Sequence, residues 1–283
     1  MEHSEGRFQG LTDTSLYYQC WLPRGVPRAV LVVIHGLAEH SGRYMNLVNY
    51  FVPKDYAIYG YDHRGHGKSE GPRCYVKRFS EYVDDLGTFL DLVYKNHQQK
   101  KPYLIGHSMG ATIAIAHAVE HQDDLAGLML SGTLIKPGSS VPPVLAAIVG
   151  ILSVLMPKMG TTVLDASAIS RDKTVVNAYV NDPLVNRSKI PARLGAELLK
   201  TIRELPPDLP RITLPVLLMH GTADRLAAPE GSQTTYELLG TRNKTLLRYQ
   251  GFYHEIFNEP EREQVFKDME VWLANNHPDL TRS

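Results

Sequence analysis

Gly106-His107-Ser108-Met109-Gly110 is the stretch that decides the fold, because its form Gly-x-Ser-x-Gly places a serine between two glycines. The run Lys101-Pro102-Tyr103-Leu104-Ile105 before it passes from a turn signal to apolar residues, which predicts a strand. The run from Ala111 to Val119 after it can form a helix. Strand, sharp turn and helix are the context of a nucleophile elbow, in which glycine adopts backbone angles that a Cβ would forbid. We therefore expect Ser108 at the carboxyl edge of a sheet.

Other apolar runs predict the rest of that sheet. Ala29–Ile34 is an unbroken, β-branched run, typical of a strand that is buried on both faces. Arg7–Gly10 and Leu16–Trp21 predict an antiparallel start to the chain. The remaining predicted strands are 57–61, 102–106, 125–130, 214–221 and 244–249, and helices are predicted at 79–97 and 230–239. This alternation predicts an α/β fold with a mostly parallel central sheet, helices on both faces and right-handed crossovers.

The alternation of strands and helices breaks after residue 130. Residues 133–205 contain the uncharged stretch Val141–Met156 and several helical fragments. We predict that 133–205 form an inserted helical cap, and that 1–132 and 206–283 form the α/β core. Val141–Met156 contains two prolines and a glycine and is shorter than the ~20 residues of a spanning helix, so we predict that it does not cross a membrane.

Composition limits the classes of function. The 283 residues are 43% hydrophobic and 21% charged, which is typical of a globular protein with a large core. A formal net charge of zero argues against nucleic acid as a partner. Cys20 and Cys74 give no disulfide framework and are predicted to be free thiols. Met1–Arg7 lacks the apolar core of a signal peptide, so a cytoplasmic location is expected.

Ser108 needs a base, because a serine hydroxyl is a weak nucleophile until its proton is removed. The base in turn needs a carboxylate that orients it. Loops after parallel strands carry such groups in open α/β sheets. Asp224 follows one predicted strand and His254 follows the last one, and we predict that they are the carboxylate and the base. His277 is a rival base, but it lies beyond the last predicted helix.

The oxyanion that forms when Ser108 attacks a carbonyl needs backbone N–H donors. One is predicted on Met109, the residue after the serine. The second is predicted on Leu37, in the loop that follows Ala29–Ile34, where Gly36 lets the backbone approach closely. The alternative for His35-Gly36 is a simple turn after a strand.

Five motifs occur in order along the chain: His35–Tyr44, Tyr61–Gly71, Gly106–Gly110, Ala223–Arg225 and Tyr253–Glu259. With these motifs the sequence resembles serine hydrolases of the α/β-hydrolase superfamily, in the monoacylglycerol lipase and lysophospholipase branch. The resemblance covers nearly the whole chain and is weakest in the cap. It implies a catalytic triad of Ser108, Asp224 and His254, in the chain order of that fold. It also implies an oxyanion hole at Leu37 and Met109, and no cofactor or metal.

The resemblance extends to the substrate pocket. It implies that Glu39, Arg43 and Tyr179 border the pocket for the alcohol part of an ester, and that the apolar cap accepts the acyl chain and touches membranes transiently. The predicted substrate is a monoacylglycerol, with a lysophospholipid or another carboxylic ester as alternatives. Taken from the residues alone, a pair of Glu39 and Arg43 can also be purely structural, and His107 is expected to be a packed residue of the elbow. The resemblance leaves the head group, the chain length and the oligomeric state open.

Two other motifs point to different chemistry. Gly67-Lys68-Ser69 imitates the end of a phosphate loop, but Asp62 stands where that loop needs a glycine. His117-Ala118-Val119-Glu120-His121 imitates a zinc motif, but no third ligand is evident from the spacing. An aminopeptidase or a non-catalytic receptor on the same fold are the rival functions. An apolar cap is a poor host for a charged amino terminus, and no predicted triad residue is missing.

Overall fold

The computed structural model describes residues 1–97, 100–135 and 150–277. An eight-stranded sheet with the order β1-β2-β4-β3-β5-β6-β9-β10 forms its centre. These strands are β1 (Glu2–Gln9), β2 (Ser15–Leu22), β3 (Ala29–Ile34), β4 (Tyr56–Tyr61), β5 (Tyr103–His107), β6 (Gly127–Ser131), β9 (Val216–Gly221) and β10 (Lys244–Tyr249). β2 pairs antiparallel with β1 and with β4, and the other neighbours are parallel. The predicted fold class is confirmed.

Helices cover both faces of the sheet. They are α1 (Met45–Phe51), α2 (Ser80–Asn96), α3 (Met109–His121), α4 (described at 150–155), α5 (Lys173–Asn181), α6 (Ala192–Glu204), α7 (Glu230–Leu238) and α8 (Arg262–Asn276). β3 shows how the core is divided, because Val30 and Val32 pack with α2 and α3 on one face. Leu31 and Val33 pack with α1 and α8 on the other face. Every residue of β3 is buried, as the unbroken apolar run predicted.

Two features of the strands differ from the predictions. β1 begins at Glu2 rather than near Arg7, although five of the six residues that precede Phe8 in it are polar or charged and exposed. Pairing with β2 over its full length supports this edge strand, since backbone hydrogen bonds do not depend on an apolar pattern. β7 (Gly160–Thr162) and β8 (Ile190–Pro191) form a small antiparallel pair between β6 and β9. They are too short to produce a readable period.

The segment between β6 and β9 contains the predicted cap, which we define as residues 133–205. Within the described part of it lie α4, β7, α5, β8 and α6. Of the apolar stretch Val141–Met156, residues 141–149 lie outside the described residues. The part that follows is helical at 150–155 and presents Ile151, Val154 and Leu155 to the exterior. Over the described ranges, no helix has both the length and the apolar character needed to cross a bilayer.

Hydrogen bonds and ion pairs connect the cap to two loops of the core. His40 Nε2 lies 2.8 Å from Asp182 Oδ2, which joins the loop after β3 to the end of α5. On the opposite side, the Glu255 N–H donates to the Ile169 carbonyl at 2.7 Å. Arg171 Nε donates to the buried Glu259 Oε2 at 2.7 Å. The cap is therefore bound both to the loop that carries Leu37 and to the loop that carries His254.

Candidate active site

Ser108 lies in the sharp turn between β5 and α3. Its φ is 54° and its ψ is −118°, a region that side-chain-bearing residues rarely occupy. The flanking glycines leave no room for a Cβ, which at Gly106 would come within 2.7 Å of the Ala111 Cα and at Gly110 within 1.9 Å of the Ile34 carbonyl oxygen. The Gly-x-Ser-x-Gly pattern is therefore required by the close approach of α3 to β3 and β5.

Asp224 stands in the loop after β9 and its carboxylate is held by both oxygens. Oδ1 accepts the N–H groups of Leu226 at 2.8 Å and of Ala227 at 2.9 Å. Oδ2 accepts from His254 Nδ1 at 2.7 Å. Burial would raise the pKa of Asp224, but the His254 imidazole and the hydrogen bonds to His220 and His254 hold that pKa well below its usual value. Asp224 is therefore ionised, and it holds the His254 ring through Nδ1.

His254 follows β10 and is almost fully buried. With Nδ1 donating to Asp224, its Nε2 is left to accept a proton. Burial would lower the pKa of His254, but the Asp224 carboxylate raises it above its usual value. The ring of His107 lies 4.6 Å from that of His254, and burial together with this neighbour lowers the pKa of His107 to about 3. His107 is therefore a neutral packing partner, as expected from the sequence.

Ser108 and His254 line the same cavity, which has a volume of about 510 Å³. The cap supplies most of the apolar lining of this cavity: Leu134, Val163, Leu164, Ala168, Ile169, Ile190, Leu198, Leu199 and Ile202. Polar groups of the core stand at the other end, among them Glu39 and Glu255. A mostly apolar cavity with a few polar groups beside a nucleophile is the usual form of a small-molecule site.

The backbone at Leu37 passes beside Ser108. A Cβ built on Gly36 would lie 3.4 Å from the Ser108 Cβ, which measures how near this loop comes to the nucleophile. Leu37 lines the cavity. Met109 is the first residue of α3, so its N–H has no partner within the helix and the positive end of the helix dipole lies at Ser108. The predicted oxyanion donors are therefore adjacent to Ser108, since Leu37 lines the same cavity and Met109 is the next residue along the chain.

Glu39 holds the loop of Leu37 in place. Its Oε1 accepts the Gly36 N–H at 2.6 Å and the Tyr44 hydroxyl at 2.8 Å. Burial raises the pKa of Glu39 and the nearby Glu255 adds to this, while Arg43 opposes it. The carboxylate thus connects the loop of Leu37 to Tyr44, just before α1.

Arg43 is held by a second carboxylate that the sequence analysis did not identify. Its Nη1 and Nη2 donate to the two oxygens of Glu255 at 2.6 and 2.8 Å, and its Nη1 lies 3.3 Å from Glu39 Oε2. The Arg43 guanidinium lowers the pKa of Glu255, against the effect of burial. The Tyr179 ring covers the guanidinium at 4.5 Å. Glu39 and Tyr179 line the cavity, whereas Arg43 lies behind them and contacts both side chains.

The polar segment after β4 braces these loops and does not line the cavity. Asp62 Oδ1 accepts from the Ser41 N–H at 2.8 Å and from its hydroxyl at 2.6 Å. His63 N–H donates to His35 Nε2 at 2.9 Å. Arg64 donates to both oxygens of the buried Asp85, at 2.6 and 2.7 Å. This segment therefore supports the loop that carries Leu37, through hydrogen bonds to Ser41 and His35.

The zinc-like motif lies on α3, where His117 and His121 place their rings 4.8 Å apart. Burial lowers the pKa of His117 to about 4, with the neighbouring His121 as a second cause. Within the described ranges, no group of three or more His, Cys, Asp or Glu side chains is arranged to hold a metal ion. Cys20 and Cys74 are both buried free thiols, as predicted.

A sequence model of the family described as Serine aminopeptidase, S33 matches residues 25–261. The chain is 36% identical over 273 residues to the monoacylglycerol lipase of Mycolicibacterium smegmatis, covering 96% of this chain and 98% of that one. It is 37% identical over 264 residues to the monoglyceride lipase of Homo sapiens, covering 92% and 86%. The solved monoacylglycerol lipase of Paleococcus ferrophilus has a TM-score of 0.80 at 30% identity and covers 98% of this chain and 100% of that one.

The fold, the elbow and the matched family together define the class of this protein, an α/β-hydrolase. The chain belongs to the Serine aminopeptidase, S33 family. Within that class it is similar over nearly its whole length to monoacylglycerol lipases. The resemblance that the five motifs indicated is confirmed.

Proposed function

We propose that this protein hydrolyses carboxylic esters with a single acyl chain, and that its substrate is a monoacylglycerol, which it cleaves to a fatty acid and glycerol. The observation that carries the proposal is the pairing of Asp224 with His254 beside Ser108, at the mouth of a cavity lined by the apolar cap. Similarity to monoacylglycerol lipases over most of the chain supports the same assignment.

In the acylation step, the Ser108 hydroxyl attacks the ester carbonyl carbon and its proton passes to His254 Nε2. The Leu37 and Met109 N–H groups donate to the oxyanion of the tetrahedral intermediate. Asp224 stabilises the imidazolium that forms and keeps its Nδ1 proton directed away from Ser108. The intermediate collapses when the C–O bond to glycerol breaks, and His254 Nε2 gives its proton to the leaving oxygen.

Deacylation repeats these steps with water. His254 Nε2 accepts a proton from a water molecule as its oxygen attacks the acyl carbon, and the same proton returns to Ser108 as the fatty acid leaves. Each proton taken up by His254 is released within the same half-reaction, so no cofactor takes part. The proposed catalytic residues are therefore Ser108, Asp224 and His254, with Leu37 and Met109 as oxyanion donors.

The two ends of the cavity suit the two parts of such a substrate. The wall that the cap supplies is mostly apolar and suits an acyl chain, because burial of each methylene contributes about 0.8 kcal/mol. Glu39 and Tyr179, held in place by Arg43, offer polar atoms to the glycerol hydroxyls at the other end. We propose these three residues as the alcohol subsite.

The substrate proposal is tested with a panel of monoacylglycerols, lysophospholipids, diacylglycerols and aminoacyl amides at equal concentration. We expect monoacylglycerols to have the highest kcat/KM, and kcat/KM to rise with chain length from acetyl esters to octanoyl esters and beyond. Ser108→Ala protein provides the blank. A preference for acetate over octanoate would remove the acyl role of the cap, and faster cleavage of lysophospholipids or aminoacyl amides would assign the enzyme to those substrates.

We also propose that the cap brings the enzyme to lipid surfaces. Ile151, Val154, Leu155 and Met156 are exposed apolar residues of one short segment of the cap, and Val154 and Leu155 are each 73% exposed. Such a group of exposed apolar residues is typical of an interaction site. Both described thiols are free and buried, which is compatible with a reducing cytoplasm as the setting.

The double variant Val154→Lys, Leu155→Lys is expected to bind phosphatidylcholine vesicles about tenfold or more weakly, because it replaces two apolar contacts by charges. Its kcat/KM for a water-soluble short ester is expected to stay unchanged, while activity on vesicle-borne monoacylglycerol falls. Val26→Lys is the matched control, since Val26 is 81% exposed but lies on the core. Equal vesicle binding of the double variant, the control and the parent protein would overturn this proposal.

A further inference from the structure

His220 is a buried histidine on β9 that contacts the same carboxylate oxygen as His254. Its Nε2 lies 3.1 Å from Asp224 Oδ2 and 3.2 Å from the Ala227 carbonyl oxygen. Both neighbours of Nε2 are acceptors only, so Nε2 carries a hydrogen and donates it. The side chain of His220 is 1% exposed, so no water competes for this contact.

A series of hydrogen bonds connects the other nitrogen of His220, Nδ1, to the start of the cap. Nδ1 lies 2.6 Å from the Ser232 hydroxyl on α7, and because Nε2 holds the hydrogen, Nδ1 accepts from Ser232. The Ser232 oxygen is in turn hydrogen-bonded to the Thr133 hydroxyl, which is also fully buried. Thr133 follows β6 and is the first residue of the predicted cap. A buried chain of five side chains thus runs from Thr133 through Ser232, His220 and Asp224 to His254.

We propose that His220 is a positioning residue for catalysis, whose Nε2–H fixes the Asp224 carboxylate in the orientation that His254 needs. The proposal rests on the proposed triad. With His220 present, Asp224 accepts four hydrogen bonds, two on each oxygen. A carboxylate bound on all sides cannot rotate when positive charge develops on the imidazole, so the site needs no reorganisation in the transition state.

The electrostatics of the pair agree with this role. Burial would raise the pKa of Asp224, and the hydrogen bond from His220 is one of the contacts that lower it instead. Without His220, Asp224 Oδ2 would face an empty pocket on one side of β9. The carboxylate could then turn toward that side and lengthen its contact with His254.

Substitution by glutamine and by asparagine separates the contact of His220 with Asp224 from its contact with Ser232. The amide nitrogen of glutamine stands about as far along its side chain as Nε2 of histidine, and the amide of asparagine about as far as Nδ1. His220→Gln therefore retains a donor to Asp224, whereas His220→Asn retains only a polar partner for Ser232. His220→Leu removes both. His97→Leu is the control, because His97 Nε2 is hydrogen-bonded to the Tyr59 hydroxyl at 2.8 Å on the far side of the core.

We expect His220→Asn and His220→Leu to lower kcat about tenfold or more, as the loss of a hydrogen bond to a charged group does, with KM changed less than about twofold. His220→Gln is expected to retain kcat within about threefold, and His97→Leu to leave it unchanged. The measurement is kcat and KM for a soluble monoacylglycerol, with thermal unfolding of each variant as a record of folding.

Equal kcat values for the Gln and Asn variants, or for His220→Leu and His97→Leu, would overturn the proposal. Should the leucine variant fail to fold, the comparison of Gln with Asn still decides it. Asp224→Asn separates the two levels of inference. If Asp224→Asn has the parent activity, the proposed triad itself is wrong. If it is inactive while His220→Gln and His220→Asn are equal, only the role of His220 is refuted.

Discussion

Replacement of Ser108 by alanine is expected to lower kcat by about 10⁵-fold or more and to leave the fold intact, as in other serine hydrolases that lose their nucleophile. Alanine keeps the Cβ and loses only the hydroxyl, so the φ of 54° is no harder to adopt than it is for serine. The local fold depends on the backbone of Ser108 rather than on its hydroxyl. Ala111 N–H and Thr112 N–H donate to the Ser108 carbonyl oxygen at 3.0 and 3.2 Å, and alanine retains that oxygen.

The measurement is the rate of monoacylglycerol hydrolysis, with thermal unfolding monitored by circular dichroism. Ser4→Ala is a suitable control, because Ser4 is an exposed residue of the edge strand β1. We expect the control to keep the parent rate and all three proteins to unfold at similar temperatures. If Ser108→Ala hydrolyses esters at the parent rate, Ser108 is not the nucleophile and the proposed mechanism is wrong.

Asp224→Asn is expected to lower kcat by about 10³- to 10⁴-fold. An amide in this position donates a hydrogen as well as accepting one, so it favours the imidazole tautomer that carries its hydrogen on Nε2 and blocks proton transfer from Ser108. The carboxylate also raises the pKa of His254. Because catalysis needs neutral His254, activity is lost as the pH falls through that pKa.

The remaining activity of Asp224→Asn provides a second readout. Without the negative charge the pKa of His254 falls, so the acid limb of kcat/KM against pH is expected to move to lower pH. Asp268→Asn is the control, because Asp268 accepts from the Tyr249 hydroxyl at 3.1 Å and does not line the cavity. An unchanged acid limb together with unchanged kcat would mean that Asp224 does not orient the base.

The sequence predicted the features whose causes are local. β3 was predicted because six consecutive apolar residues, most of them β-branched, are typical of a strand that is buried on both faces. The elbow was predicted because Gly-x-Ser-x-Gly stands between a predicted strand and a predicted helix. Asp224 and His254 were predicted because both follow predicted strands. Parallel strands bring the loops after them to one edge of the sheet, so their meeting followed from topology.

The features that were missed depend on contacts between distant segments. Glu255 binds Arg43 across 212 positions of the chain, and no spacing in the sequence indicates that pairing. β7 and β8 are short and separated by α5, so no periodicity in the sequence indicates them. His220 could have been noticed, because it stands four residues before Asp224, near the end of the preceding strand β9, but its tautomer and its partners depend on α7.

The attachment of the cap to the loop of His254 has a consequence for protein engineering. Ile169 and Arg171 belong to the cap by chain order, yet they hold Glu255 and Glu259, the residues that frame His254. Arg171 N–H and Tyr253 N–H even share one oxygen, Glu259 Oε1, at 3.1 and 2.9 Å. A graft that exchanges lids between homologues should therefore cut inside the cap and keep the recipient's own 166–172. That short segment supports the loop of the proposed general base His254, so substrate range can be exchanged independently only in the rest of the cap.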